Sequence, residues 1–262
     1  MVRYIIPTHV HLDHAGGAGV LMQKYTNAQL VIHPRGAKHM INPDKLVAGS
    51  KAVYGEKKFR ELYGEVVPVP EYRMLTMQDR DKIYLKKRIL EFRHTPGHAE
   101  HHFCIWDQVS QGWFSGDTFG ISYEKLGGKQ NRFIFPTTSP VQFDPDKLLG
   151  SIDLIMKYKP KQIFLTHFSV IKEPAKQAKI LREQIESYRK IAIELRFSSN
   201  REKKIFNAIK VMTISNIVSK LPCCDIKKVE NLLELDFKLN AQGIDIWISK
   251  QNEKNKKIST GK

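Results

Sequence analysis

The first seventeen residues constrain this chain more than any other stretch. The apolar run Tyr4-Ile5-Ile6-Pro7 leads directly into Thr8-His9-Val10-His11-Leu12-Asp13-His14-Ala15-Gly16-Gly17. The run reads as a short buried strand, and the three histidines and one aspartate after it alternate with small or apolar residues. Alternation sends one set of side chains the same way. Imidazole nitrogen and carboxylate oxygen are preferred ligands of zinc, and also of iron and manganese, and four donors this dense can serve two ions. A purely structural role would bury polar groups that need partners, at about 1–3 kcal/mol for each one left unsatisfied. The stretch is therefore read as a metal site.

Composition sets the bounds around it. With 262 residues and 41% apolar content, the chain can bury one sizeable core and carry a small second module. Lys and Arg exceed Asp and Glu by 43 − 27 = +16, split as 19 − 15 = +4 over residues 1–146 and 24 − 12 = +12 over residues 147–262. A basic C-terminal half attracts anionic partners. Lysine dominates there without aromatic interleaving, so nucleic acid is a conceivable but unfavoured partner and a solvated lysine-rich surface the simpler reading. The three cysteines, Cys104, Cys223 and Cys224, are an odd count that implies no disulfide framework, and a cytoplasmic location is expected. No run approaches the roughly 20 apolar residues of a spanning helix, so no membrane partner is expected.

Along the chain, Ala15 to Tyr25 reads as a helix entered through Gly16-Gly17. Gln29 to His33 reads as a strand, and Pro34 opens a helix that Asn42-Pro43 stops. His33 and His39 are read as structural or exposed. Residues 51–64 look helical, Val66 to Pro70 an edge strand, and Asp81 to Phe92 a hairpin broken at Lys86-Lys87-Arg88. The stretch His94-Thr95-Pro96-Gly97-His98-Ala99-Glu100-His101-His102 holds four histidines. Gly97 permits close backbone approach just before His98, and a strand resumes after His102, so His98 is the preferred ligand. His94, His101 and His102 are read as supporting residues.

Gly112 to Thr118 is an apolar strand ending in Asp117, whose two oxygens suit it to bridging two cations. Residues 119–145 read as a long loop with Gly127-Gly128 and several aromatics, and Phe119, Tyr123 and Phe135 are the candidate substrate-pocket residues. Asp146 to Tyr158 is a predicted helix, and Lys161 to His167 repeats the opening grammar of apolar strand followed by Thr-His. Glu173-Pro174 starts a long helix to Leu195 with apolar residues at steps of three and four. Residues 198–250 form a small C-terminal module, mainly helical and winged-helix-like, with helices over Glu202–Val211 and Ile214–Leu221, a third from Asp225 to Leu235, and a strand from Ile244 to Ile248. Residues 251–262 are expected to be a basic disordered tail.

Together these marks resemble the metallo-β-lactamase superfamily: Thr8 to His14, then Gly97-His98, then Gly116-Asp117-Thr118, then Thr166-His167. The resemblance covers residues 1 to about 190, and a domain of residues 1–197 is expected. It implies an α/β chain with the four-layer αββα sandwich. Relatives carry several strands before the first motif, so this domain is expected to be incomplete at its N-terminus, as a fragment or a misassigned start, with an inactive remnant the less favoured alternative. The resemblance further implies two divalent metal ions, zinc favoured and iron the alternative, with His9, His11 and His98 on the first, Asp13, His14 and His167 on the second, and Asp117 bridging. Two cations about 3.5–4 Å apart share a water, lower its pKa towards ~7 and polarise a carbonyl or phosphoryl oxygen. Asp13 would also act catalytically by accepting a proton or orienting the nucleophile. The implied function is hydrolysis of an ester, thioester or phosphoester small molecule in a homo-oligomer. The alternative is a non-haem di-iron oxygen-binding or oxygen-sensing protein with little hydrolase activity. Flavodiiron relatives place a glutamate where this chain has His11, which moves the reading away from them.

Overall fold

The computed structural model describes residues 1–127, 133–138, 140–167 and 170–259. The chain divides into two compact units, one formed by Met1–His94 with Glu100–Phe114 and the other by Thr95–Ala99 with Ser115–Lys262.

In the first unit the chain runs β1 (Tyr4–Ile5), α1 (Leu12–Ala15), α2 (Ala18–Lys24), β2 (Gln29–Ile32), α3 (Pro34–Ile41), α4 (Asp44–Tyr54), α5 (Glu56–Tyr63), then β3 (Met74–Thr76), β4 (Lys82–Leu85), β5 (Arg88–His94), β6 (Phe103–Asp107) and β7 (Gly112–Phe114). β1, β2 and β3 form a parallel sheet, with Tyr4 against Gln29 and Leu30 against Met74. β4 to β7 form an antiparallel meander. The alternation of β2 sets the layers, because successive side chains leave a strand on opposite faces. Leu30 and Ile32 pack with Ala18, Met22 and Met40 from α2 and α3, whereas Val31 packs with Ile83, Leu90, Phe92, Phe103 and Ile105 of the meander. The first unit is thus helix on sheet on sheet.

Local chemistry explains the boundaries. Pro34 opens α3 at a position whose N–H would have no helical partner, and the buried His33 side chain accepts from the Arg35 N–H at 3.1 Å. Burial, with His94 beside it, lowers the His33 imidazole to about 3. The single helix expected over residues 51–64 is instead two, because Gly55 turns the chain at φ +80°. The edge strand expected at Val66–Pro70 does not form: two prolines remove ladder donors, and Val69 donates its N–H to the Met40 carbonyl at 2.8 Å.

The second unit contains β8 (Ile121–Ser122), β9 (Ile134–Phe135), α6 (Pro145–Lys157), β10 (Gln162–Phe164), β11 (Val170–Ile171), α7 (Pro174–Leu195), α8 (Arg201–Lys220) and α9 (Ile226–Ser259). β8 pairs with β9, and β10 with β11, both antiparallel. The long loop expected over 119–145 therefore holds a small ribbon, while Gly128 and Ser139 of that stretch lie outside the described residues. In α7 Leu181, Ile185, Tyr188 and Ala192 are fully buried at the predicted spacing.

The C-terminal region is helical, as expected, but among the described residues it has no wing. Residues 201–220 are one helix, and Ile244–Ile248, read from the sequence as a strand, lies inside α9. Ile244, Ile246 and Ile248 imitate a two-residue period over five positions. The longer period decides: Val229, Leu233, Phe237, Ala241, Ile244 and Ile248 are all buried and continue one helical stripe. Ion pairs from Lys210 to Glu230 at 3.2 Å and from Arg201 to Asp245 at 2.6 Å set α8 and α9 antiparallel. The basic stretch from Lys250, expected to be disordered, carries α9 on to Ser259.

Candidate metal centre

The donors foreseen from the sequence fall four in the first unit and three in the second. In the first unit His9 and His11 follow the end of β1, and His11 is the N-cap of the four-residue α1, which carries Asp13 and His14. The turn gathers side chains that are close in sequence. His9 Nε2 lies 2.8 Å from His11 Nδ1, the His9 and His14 rings are 4.0 Å apart between centroids, and His14 Nε2 is 3.3 Å from Asp13 Oδ2. His9 is fully buried, with Nδ1 3.1 Å from the Thr8 hydroxyl. The supporting histidines of this unit are His101 and His102. His101 Nδ1 accepts from the Val10 N–H at 3.4 Å, and the His102 ring stacks on His9 at 4.8 Å. His94 packs on His33, its Nε2 2.9 Å from the Met77 carbonyl, and takes no place among the donors.

In the second unit three donors from distant segments meet at Asp117. Asp117 is 5% exposed, with Oδ2 3.4 Å from His98 Nε2 and Oδ1 3.7 Å from His167 Nε2. The segment carrying His98 is tied at every step: Thr118 Oγ1 donates to the Thr95 carbonyl at 3.3 Å, Ser151 Oγ to the Pro96 carbonyl at 2.6 Å, and the Asp144 N–H to the Gly97 carbonyl at 2.9 Å. Gly97 adopts φ +127°, and a Cβ there would lie 2.3 Å from the Leu148 nitrogen. Only glycine meets both demands. His98 Nδ1 sits 3.0 Å from the Thr137 carbonyl, which can only accept, so Nδ1 carries a proton and Nε2 is the nitrogen that faces Asp117.

The donor chemistry fits a divalent metal in both units. Each offers imidazole nitrogens beside a carboxylate, and in the second the histidine tautomer is already set by a backbone carbonyl. Of the pocket candidates, Phe119 and Phe135 are buried within the second unit and Tyr123 is half-buried, its hydroxyl donating to Asp236 Oδ2 at 2.9 Å. Burial pushes the Asp236 carboxyl up to about 6, against the opposing effect of the Tyr123 hydroxyl. Sequence reasoning missed Asp236, Asn240 and the role of the Thr137 carbonyl. A polar residue in phase with the buried stripe of α9 was the available signal for Asn240, which is 2% exposed.

The family model of the metallo-beta-lactamase superfamily matches residues 1–167. The chain is 26% identical over 172 residues to a metallo-beta-lactamase fold-containing protein, ST1585, of Sulfurisphaera tokodaii, covering 64% of this chain and 61% of that protein. It is 30% identical over 118 residues to an acyl-coenzyme A thioesterase, MBLAC2, of Gallus gallus, covering 43% of this chain and 40% of that protein. It therefore spans less than two thirds of the length of these relatives. The crystal structure of a metallo-beta-lactamase family protein from Thermus thermophilus superimposes with a TM-score of 0.62 at 16% identity, covering 96% of this chain and 75% of the other. That likeness shows the fold. Among the described residues no helix is long and apolar enough to cross a membrane.

Proposed function

The chain belongs to the metallo-β-lactamase superfamily, and from that premise we propose that it is a dinuclear metal-dependent hydrolase of a small thioester or ester. His9, His11 and His98 would hold one metal and Asp13, His14 and His167 the other, with Asp117 offering one oxygen to each. One observation carries this reading: the two oxygens of the buried Asp117 face two different imidazoles, Oδ2 towards His98 and Oδ1 towards His167. A carboxylate divided in this way can offer one oxygen to each of two ions.

When bound, zinc or iron supplies a water acidic enough to act as nucleophile near neutral pH and polarises the substrate carbonyl. The protein residues do the rest. The Thr137 carbonyl keeps the proton of His98 on Nδ1 and so leaves Nε2 as a donor. Asp13, exposed in the first turn of α1 and 3.3 Å from His14, would accept a proton or orient the nucleophile. The thioesterase relative favours a thioester over a phosphoester.

Replacing His98 by alanine tests the assignment. His98→Ala is expected to lose at least half of the metal found by elemental analysis and to slow hydrolysis of an acyl-thioester by about 100-fold or more, since removal of a metal ligand acts on every step that uses the ion. Unchanged metal content would overturn the ligand set. Iron in the purified protein, with a new visible band on adding oxygen and no esterase activity, would assign oxygen binding instead.

A further inference from the structure

The family match ends at residue 167, yet one face of α9 reaches the backbone on which two donors of its own unit depend. We infer that α9 is a positioning element for the metal donors, with Asn240 fixing the loop that orients His98 and Asp236 fixing the ribbon that orients His167. The inference rests on the reading of His98 and His167 as metal ligands.

Asn240 is the stronger arm. Its Oδ1 accepts from the Thr138 N–H at 2.7 Å, its backbone carbonyl accepts from the Thr138 hydroxyl at 2.9 Å, and its Nδ2 donates to the Pro136 carbonyl at 3.2 Å. Thr137, whose carbonyl takes the Nδ1 proton of His98, is thus held from both sides by one buried amide. Without that amide the Thr138 N–H and the Pro136 carbonyl would lose their partners, and the loop would move to recover them. The Thr137 carbonyl would move with it.

Asp236 lies one turn earlier on the same face of the helix. It holds Tyr123, and the neighbouring Ser122 donates its N–H to the His167 carbonyl at 3.3 Å and its hydroxyl to the Phe133 carbonyl at 2.8 Å. Gly243, three residues beyond Asn240, completes the face. A Cβ there would lie 2.4 Å from the Thr138 carbonyl oxygen, so the helix backbone sits directly on the loop. Two polar side chains and one missing side chain on a single stripe therefore address the supports of both histidines.

The full-length chain, stripped of metal, is titrated with zinc against a competing chelator, and with cobalt while the visible spectrum is followed. Asn240→Ala is expected to bind zinc about 10–100-fold more weakly, the usual effect of removing an outer partner of a metal-ligating histidine. Its cobalt bands should shift in position or intensity, which a residue serving stability alone would not cause. Tyr123→Phe, which removes only a half-buried hydroxyl, is expected to weaken zinc binding several-fold. If Asn240→Ala does not fold, Tyr123→Phe decides the matter. Wild-type affinity and spectrum in the variants that fold overturn the inference. His98→Ala separates the two readings: if it keeps its metal, the ligand assignment fails, and if it loses metal while Asn240→Ala binds normally, only the positioning role fails.

Discussion

The two sets of donors are built on opposite plans. In the first unit, His9, His11, Asp13 and His14 fall within six consecutive positions, and the turn into α1 is enough to gather them. In the second, His98, Asp117 and His167 are separated by 19 and 50 residues and meet only because α6, β9 and α9 hold the segments that carry them. A local set costs little backbone ordering beyond one helical turn, while a dispersed set requires every supporting loop to be fixed first. The first should tolerate change around it, and the second should not.

Two glycines, Gly97 just before His98 and Gly17 just after His14, put that contrast to its sharpest test. Gly97→Ala places a Cβ at φ +127° and against the backbone nitrogen of Leu148, which cannot turn aside as a side chain would. Chemical denaturation should show a loss of about 3 kcal/mol or more, with metal binding impaired. Wild-type stability would mean that the segment from Thr95 to Ala99 is not clamped as described.

A medium effect is expected at the far end of β6, away from the first unit's donors. Asp107 is fully buried, accepts from Arg88 Nε at 2.8 Å and from Arg88 Nη2 at shorter range, and takes the Ser110 N–H at 3.1 Å. The Arg88 guanidinium holds its carboxyl down at about 2. A folded-state pKa below the ordinary value of about 3.8 means stability that is fully present above about pH 4 and lost as pH falls through about 2. Asp107→Asn should cost about 1–2 kcal/mol at pH 7 and flatten the acid limb of a stability profile without altering zinc affinity. A parallel drop in zinc affinity would show that the first unit's donors depend on distant packing after all.

The smallest effect belongs to Gly17, the N-cap of α2, at φ −84° with open space where a Cβ would stand. Gly17→Ala should change the unfolding free energy by less than about 0.5 kcal/mol. A large loss would erase the distinction between the two plans.

The same distinction governs what could be read from the chain. The gathering of His9, His11, Asp13 and His14 was legible outright, since spacing along six residues is nearly geometry. His98 was legible because Gly97 announced a close approach, although the partner in that approach, Leu148, was not. The alternating strand β2, the hairpin at Lys86-Lys87 and the helix from Pro174 to Leu195 followed from periods and punctuation that act over a few residues. What failed was decided at long range. Ile244 to Ile248 has a strand's local pattern but belongs to a helix because Phe237 and Ala241 extend the stripe. Val66 to Pro70 stays out of a sheet because Val69 bonds to Met40. Asn240 stands out in the sequence only as a polar residue in the buried stripe of α9, and its partners Pro136 and Thr138 are brought to it by the fold alone.

The contact at Gly243 also limits how this protein can change over generations. Any larger side chain there must be matched by a retreat of the Thr138 carbonyl, and that retreat would disturb the very amide network that Asn240 makes with the same residue. Gly243 and Asn240 therefore constrain the same stretch of backbone at Thr138. On the inference drawn above, exchanging the C-terminal helix for that of another protein would leave residues 1–167 untouched and still loosen the loop beneath His98.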